Sequence, residues 1–564
     1  MTSFKSKTLS EIFKTIFESL DEGKLPKDDN SGLLKVILDT SRDVFDWKLL
    51  FEKPSNLEVT EERCHQLREK GKVSLQKKNM VDALSCFTQY IRACHQLLQN
   101  DPEQNGDEII KPSQKKSQLL EQGYLSRSMI FYRVQNYIRC IDDCDAALFY
   151  SCCQNTDDGD GNFSNKYVLY ERKGKCYSAL QNKIHAKACF DLALQASEKA
   201  NLPEKFLEAF KKQTQDSIKK LDAICEEGQI LFDVNADIVD NLDNLLHTKM
   251  GDVDTLHTSM SSKTTIQYSP DKGRYVVANQ DIDIGETVLV ENVNISYSYY
   301  DIKSKCSKAC HHCLSSICEY MAYYSPVVDG LGFCSWKCLS TAMKTYHRYE
   351  RFLFQNYINE LQNHTEDEIK CVSLFLAFKT IVSHPASFYL SQKSSEHILV
   401  KDPLFVMSKH SKNKGKPTLN NKENYTGSNE EGNGEVLLSP KETQVKSLYN
   451  METHIDDTPL EERIRIAIRC VILLHCLREA NYFSEHQVDS SVEQEELRFL
   501  MLLFHFHFSI AYSVLQIYRV DGDVSGDIPL TALGSGIFDD LILFNHSCAS
   551  NTTRFYQGMI NVDY

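Results

Sequence analysis

Apolar and small residues recur in register between about residue 60 and residue 200. Three segments share a small residue, a second small residue twelve positions later, and two further core positions four and seven beyond that. In chain order these are Gly71, Ala83, Phe87 and Tyr90; Ser128, Cys140, Cys144 and Ala147; and Gly174, Ala186, Phe190 and Ala193. Small residues let two antiparallel helices approach, and a larger one fills the gap, so the pattern predicts three helical hairpins.

The four recurring positions resemble those of tetratricopeptide (TPR) repeats. The units begin 57 and 46 residues apart, against about 34 in the usual repeat. Polar insertions near 98–115 and 151–165 account for the surplus. The resemblance implies an α-helical array, and residues 201–250 are expected to continue as helix and cap it; the alternative is three unrelated hairpins.

A different pattern begins at about residue 262. Two stretches are predicted to be strands, Lys272–Ala278 and Thr287–Glu291, and the turn sequence DIDIGE joins them. Residues 351–400 read mainly as helix, and helices resume at about residue 459. Residues 408–456 are rich in Lys, Asn, Ser, Glu and Gly, which predicts a disordered insertion.

One apolar run raises the question of a membrane. Residues 499–518 carry no formal charge and are long enough to span a bilayer. Two histidines, Ser509, Ser513 and Gln516 interrupt the run. These polar residues favour a buried helix of a large domain over a membrane anchor.

Length and charge narrow the class of protein. A chain of 564 residues predicts about two to four domains. The net charge of −15 argues against general binding of nucleic acids or anionic membranes. The N-terminus shows none of the features of a secretory signal, so the 20 cysteines are expected to be reduced. Clustered cysteines are then expected to bind metal.

Two short-spaced thiol pairs form the metal candidate. Cys310 and Cys313 are followed, after twenty intervening residues, by Cys334 and Cys338. Four thiolates can close a tetrahedral Zn²⁺ site with no open position, so the metal would be structural. The alternative is four buried thiols without metal.

The segment around these thiols, with FCSWKC at 333–338 and YHRYE at 346–350, resembles a MYND finger. That family interleaves two zinc sites, and here the second lacks its middle cysteine pair. Arg351 stands where a cysteine would follow His347. We therefore expect His347 to be an ordinary helical histidine, although Cys306 and Cys318 are spare thiols that can rebuild a second site.

Two further motifs extend the resemblance to nearly the whole chain, from about residue 60 to 564. They are GRYVVANQDIDIGETVLVE (273–291) and GIFDDLILFNHSCASNTTRFYQG (536–558), in which NHSC follows a strand-like stretch at 541–544. With the helical array and the finger, they resemble the TPR-bearing branch of the SET and MYND domain-containing protein-lysine methyltransferases.

The resemblance implies an α+β multidomain protein in which a β-rich SET fold is interrupted by the finger and a helical insertion. The expected domains are an N-terminal helical segment 1–59, the TPR-like array 60–261, the SET N-terminal part 262–305, the finger 306–351, the helical insertion 352–530 and the SET core part 531–564.

The resemblance also implies a site for S-adenosyl-L-methionine. The positions that match its cofactor-binding residues are Lys272, Gly273, Arg274, Asn545 and His546. Tyr275 stands where many members have a second glycine, and Ser550 where a proline is usual. Cys548 matches a cysteine that joins three C-terminal cysteines on another zinc ion.

The catalytic tyrosine of the family matches no position before Tyr564, so no catalytic residue is assigned. We expect the chain to be shortened, and to transfer no methyl groups if Tyr564 is its natural end. The hypotheses are a lysine methyltransferase acting on a histone or non-histone protein in cytoplasm and nucleus, and an inactive adaptor that binds peptides through the TPR groove. We expect no direct nucleic-acid or membrane partner.

Overall fold

The computed structural model describes sixteen stretches of the chain. They are residues 9–20, 25–26, 29–44, 59–99, 113–152, 165–200, 202–223, 259–269, 273–301, 306–354, 368–390, 445, 448–449, 451–484, 492–520 and 530–554.

The described residues form α-helices and short strands, numbered here in chain order. The helices are α1 Leu9–Ser19, α2 Asn30–Val44, α3 Glu61–Gln76, α4 Met80–Gln99, α5 Gln114–Arg133, α6 Tyr137–Cys152, α7 Lys166–Ala179, α8 Lys183–Lys199, α9 Glu204–Ala223, α10 Trp336–Lys344, α11 Glu368–Val382, α12 Ala386–Leu390, α13 Leu460–Glu479 and α14 Val492–Ala511. The strands are β1 Thr264–Ser269, β2 Gly273–Ala278, β3 Ile295–Ser298, β4 Tyr300–Asp301, β5 Cys306–Ser307, β6 Tyr323–Tyr324, β7 Gly332–Phe333, β8 Leu515–Val520 and β9 Leu530–Ile537.

The chain divides into two compact units, each built from two separate stretches. The first unit comprises Met1–Pro54 and Tyr349–Leu515, and the second comprises Ser55–Arg348 and Gln516–Tyr564. The mixed α+β class predicted from the sequence is confirmed in this coarse form: helices come first, and small sheets and a cysteine cluster follow. The domain boundaries and the TPR class stay predictions.

The first unit is a helical bundle around α13 and α14. Helix α14 packs on α11, and α2 packs on both α13 and α14. Arg42 of α2 and Arg478 of α13 both pair with the carboxylate of Glu496 in α14, whose side chain is 5% exposed. This shared ion pair ties the N-terminal helices to the later ones, because a buried carboxylate needs cationic partners.

The uncharged run at 499–518 is not one helix. Helix α14 ends at Ala511, and β8 begins four residues later at Leu515. The helical part is buried, as predicted, with Phe499, Phe504 and Ile510 fully enclosed. The last part alternates apolar Leu515 and Ile517 with polar residues, which suits a strand. Within the described chain, no helix combines the length and apolar character that crossing a bilayer requires.

The second unit begins with helical hairpins at the predicted positions. Helices α3 and α4, α5 and α6, and α7 and α8 pack as pairs, and α9 packs on α8. A Cβ added to Gly174 would lie 2.7 Å from the ring of Phe190, and one added to Gly71 would lie 3.0 Å from the ring of Phe87. The small and large positions of the sequence pattern therefore face each other, which supports the repeat interpretation.

The cysteine-rich segment of the second unit lies against this helical array. At the centre of the contact is Arg127 of α5, whose side chain is fully buried and forms a two-pronged pair with Asp143 of α6 at 2.7 and 2.9 Å. The same guanidinium donates to Thr88 of α4 and to the carbonyl of Ala322, both at 3.0 Å. Tyr323 completes the network by donating its hydroxyl to Asp143 at 2.7 Å.

Short antiparallel sheets follow the array. Strand β1 pairs with β2, and β3, β9 and β8 form one three-stranded sheet. The strand predicted at Lys272–Ala278 is therefore present from Gly273, but its partner is β1, which the sequence analysis missed. The strand predicted at Thr287–Glu291 is wrong: its Leu289 makes an isolated bridge to Met260.

The strand-like stretch at 541–544 is also wrong, because Leu541–Leu543 is a 3-10 turn. Some predictions fall outside the described residues: these include the extension of the array over 224–250 and the disordered insertion over 408–444. The described chain is continuous again from Met451, and Ile455 is buried.

We predict that Asp143→Ala lowers the stability of the second unit by roughly 3–5 kcal/mol, because Arg127 would be left charged, buried and without its carboxylate. The chain has two tryptophans, so a Trp47→Phe background leaves Trp336 of the docked segment as the only reporter. In urea, the fluorescence of Trp336 should report unfolding of the Asp143→Ala variant at a lower midpoint than that of the parent chain. The double variant Arg127→Met/Asp143→Leu should recover much of the loss, and no recovery would argue against an unpaired charge as the cause.

A second prediction concerns pH. His95 of α4 is buried, its Nε2 lies 3.2 Å from the Tyr124 hydroxyl, and burial, aided by the charge of Arg127, lowers its pKa to about 3. The unfolded chain takes up the proton near the ordinary pKa of about 6.5, so His95 favours the fold above that pH and less as pH falls towards 3.

From pH 6.5 to pH 5 this imidazole should cost about 2 kcal/mol of stability. In the single-tryptophan background, His95→Phe should therefore show a smaller loss between pH 7 and pH 5 than the parent chain. Equal losses in both proteins would contradict the assignment to His95.

Candidate functional site

The four thiols predicted to bind metal come from two loops and one helix start. Cys310 and Cys313 lie in a tight turn after β5, and the Cys310 carbonyl accepts from Leu314 N at 2.9 Å. Cys334 directly follows β7. Cys338 lies in the first turn of α10, where its backbone N–H donates to the capping hydroxyl of Ser335 at 3.1 Å.

The sulfur atoms lie at the separations that a tetrahedral metal site requires. Cys334 Sγ is 3.5 Å from both Cys313 Sγ and Cys338 Sγ, Cys338 Sγ is 3.9 Å from Cys313 Sγ, and all four are within 4.8 Å of one another. A Zn–S bond of about 2.3 Å gives sulfur separations of about 3.8 Å in a tetrahedron. The cluster could therefore bind zinc, with all four positions filled by protein.

Hydrogen bonds within the cluster make Cys313 the thiol that loses its proton most readily. Hydrogen bonds from Cys310, Cys334 and Cys338 hold the pKa of the Cys313 thiol well below its ordinary value, whereas hydrogen bonds within the same cluster, first with Cys310, raise the pKa values of Cys334 and Cys338. The thiolate is the form of a cysteine that binds metal.

Helices α5 and α6 of the array contact the segment that carries Cys334 and Cys338. Arg139 of α6 donates to the carbonyl of Cys334. The ring of Trp336, two residues later, lies 6.1, 5.4 and 5.9 Å from those of Tyr124, Phe149 and Tyr150. The backbone that carries Cys334 and Cys338 is thus held by α5 and α6.

The remaining predictions for the finger need correction. Cys306 donates to Glu319 at 3.4 Å and Cys318 is exposed, and in the described chain neither belongs to a metal-type cluster. His347 is not an ordinary helical histidine, since it opens a 3-10 turn and is fully buried. Its Nε2 lies 2.6 Å from the Ser325 hydroxyl, and its ring is 5.6 Å from that of His311. This contact between His347 and His311 was not predicted, although His311 directly follows Cys310 in the sequence.

The two motifs assigned to the cofactor meet in the second unit. Strand β2, which begins at Gly273, contacts the 3-10 turn Leu541–Leu543, two residues before Asn545. Gly273 has a φ of +66°, and nothing lies within 4 Å of the position of a Cβ there. Asn545 and His546 are exposed, and His546 Nε2 lies 3.3 Å from Cys548 Sγ. Lys272 lies outside the described residues.

An acidic group joins these segments. Glu291 accepts hydrogen bonds from the backbone N–H groups of Asp539, Asp540 and Leu541. Burial raises the pKa of Glu291 to about 7, although these donors act in the opposite direction. Burial likewise raises the pKa of Asp539 to about 6, against the positive charge of Arg274. Glu291 was not predicted as a site residue; its signal in the sequence is a carboxylate directly after the run TVLV at 287–290.

Comparison with known proteins gives one distant relative. No family model matches the chain. The chain is 23% identical over 346 residues to the protein-lysine N-methyltransferase SMYD4 of Pongo abelii, an alignment that covers 53% of this chain and 40% of that protein. The match thus spans less than half the length of this curated relative. Together with the four-thiol cluster, this similarity supports a distant relationship between the chain and the SET and MYND domain-containing lysine methyltransferases.

Proposed function

We propose that this chain carries the methyl-donor site of a protein-lysine N-methyltransferase. The observation that supports it best is the contact between β2, which begins at Gly273, and the 3-10 turn that precedes Asn545 and His546. These segments are more than 260 residues apart in the chain. They are also the two stretches in which the family resemblance locates its cofactor residues.

The proposed cofactor is S-adenosyl-L-methionine, bound by Lys272, Gly273, Arg274, Asn545 and His546. When bound, it supplies a methyl group to a neutral lysine amine, while the electron pair of the broken C–S bond stays on sulfur and the amine gives up a proton. The open space beside Gly273 suits a ligand that approaches the backbone closely. The exposed Asn545 and His546 would orient the donor relative to the acceptor amine.

We also propose that Cys310, Cys313, Cys334 and Cys338 bind one structural Zn²⁺. The sulfur separations support this assignment. Four thiolates leave no position for water or substrate, so the metal would stabilise the finger without taking part in methyl transfer.

The proposed partners follow from the same chemistry. The substrate would be a lysine-bearing protein, histone or non-histone, in cytoplasm or nucleus. Peptide partners of the helical array would use a surface other than the one that α4, α5 and α6 present to the finger. No direct contact with nucleic acid or membrane is proposed.

An adaptor without catalytic activity is the second candidate. It is favoured by an open groove of about 620 Å³ between α3 and α4 and by the exposed apolar residues Ile184, Leu192 and Phe206 on α8 and α9. Binding of S-adenosylmethionine separates the two candidates, since a chain without a methyl-donor site would not bind it. Transfer of radiolabelled methyl groups to a protein substrate would in addition establish catalysis.

The cofactor site is tested by comparing Gly273→Ala with Gly285→Ala. Both glycines have positive φ, +66° and +89°, and both have open space at the Cβ position. Each substitution should therefore cost roughly 1–2 kcal/mol of stability from backbone strain. Gly273→Ala should in addition weaken S-adenosylmethionine binding by about tenfold or more, because its methyl group blocks the approach of the ligand.

Isothermal titration calorimetry with S-adenosylmethionine measures this difference. Gly285→Ala is the matched control and should bind like the wild-type chain. Absence of binding by the wild-type chain, or equal binding by both variants, would count against the proposed site.

The zinc assignment predicts about one Zn²⁺ per chain by elemental analysis, from the arithmetic of four thiol ligands. Cys338→Ser should reduce the zinc content to near zero, because a hydroxyl is a poor substitute for a thiolate. Cys318→Ser, which alters an exposed cysteine outside the cluster, should leave it unchanged. A stoichiometry of two or of zero in the wild-type chain would contradict the assignment.

A further inference from the structure

Glu291 occupies a position that none of the motifs explains. Its Oε1 accepts from the backbone N–H of Asp539 at 2.6 Å and of Asp540 at 3.2 Å. Its Oε2 accepts from Asp540 N–H at 3.3 Å and from Leu541 N–H at 2.9 Å. One carboxylate thus satisfies three consecutive amides at the start of the 3-10 turn Leu541–Leu543, where a helical turn has no acceptors of its own.

Backbone contacts on both sides of Glu291 hold it in place. The N–H of Val290 donates to the carbonyl of Ser259 at 2.9 Å, and the N–H of Asn294 donates to that of Ile537 at 3.0 Å. The hydroxyl of Ser259 in turn donates to the side chain of Asp540. Three stretches that are distant in sequence, near residues 260, 290 and 540, therefore converge on this carboxylate.

The anchored amides lead directly into the segment assigned to the cofactor. After the 3-10 turn the chain passes through Phe544 to Asn545 and His546, whose side chains are exposed. The turn itself contacts β2, whose first residue is Gly273. Exposed side chains keep a fixed orientation only where the backbone before them is held, and Glu291 accepts from three consecutive amides of that backbone.

We propose that Glu291 is a positioning residue for the methyl-donor site: its carboxylate fixes the backbone of Asp539–Leu541 and thereby the orientation of Asn545 and His546. The role in cofactor binding rests on the proposed function, whereas the anchoring of the three amides does not. Charge alone does not explain the contact, because Glu291 lies beside the like-charged Asp540, and Arg274 faces the neighbouring Asp539.

Hydrogen–deuterium exchange resolved to single amides tests the anchor. Glu291→Ala should speed exchange at Asp539, Asp540 and Leu541 by about tenfold or more, because each of these amides then loses its side-chain acceptor. Exchange in β3 and β9 should stay as in the wild-type chain, which checks that the fold is retained.

Glu291→Gln gives a sharper outcome and is nearly isosteric, so it serves even if the alanine variant fails to fold. Its single side-chain oxygen can keep the shortest contact, to Asp539, while its NH₂ group cannot accept from Leu541. We expect Leu541 to lose protection and Asp539 to retain it. A general loosening of the loop would instead change all three amides together.

Glu286→Ala is the matched control, because Glu286 is a nearby carboxylate that accepts from the backbone N–H of Asp283 at 2.8 Å. It should leave exchange at 539–541 unchanged. Unchanged exchange at Leu541 in both Glu291 variants, or an equal effect of Glu286→Ala, would overturn the anchor.

Calorimetry with S-adenosylmethionine tests the positioning role. Glu291→Ala should bind about tenfold or more weakly, with Glu291→Gln intermediate and Glu286→Ala like the wild type. If the wild type binds and Glu291→Ala binds equally well, the positioning role is wrong. If the wild type does not bind, the proposed function fails, and the exchange data still decide whether Glu291 is the anchor.

Discussion

The fully buried guanidinium of Arg127 is the constraint on which the second unit depends. A cation buried away from solvent needs acceptors for its N–H groups. Arg127 finds them in Asp143 and Thr88, on two helices, and in the carbonyl of Ala322, in the finger. Because one acceptor belongs to the finger, the array cannot satisfy its own buried charge alone. The finger is thus an integral part of this unit's core.

The finger in turn ties the array to the sheet. The hydroxyl of Ser296 in β3 donates to the carbonyl of His312 at 2.8 Å, and that of Ser298 lies 3.2 Å from His311 Nδ1. Strand β3 pairs with β9, and β9 leads to the turn that Glu291 anchors. A continuous series of contacts therefore runs from the array through the thiol cluster to the proposed cofactor segment.

The thiol cluster could be predicted from the sequence because its information is local. Cys310 and Cys313 share one turn, and Cys334 and Cys338 share one helix start, so spacing alone indicates that each pair points the same way. Glu291 could not be predicted in this manner. Its partners are backbone amides about 250 residues away, and an amide leaves no mark on the residue type that carries it.

The sequence by itself determined the elements whose signals lie close together in the chain: the helical hairpins, strand β2 and the thiol pairs. Tertiary structure decided the rest, including the 3-10 turn at Leu541–Leu543, which local pattern presents as a strand. The physical reason is the same in each case. The spacing of apolar residues indicates which face of a segment is buried. The partner of a buried charge or of a backbone amide outside regular structure depends on which distant segments lie next to it in the fold.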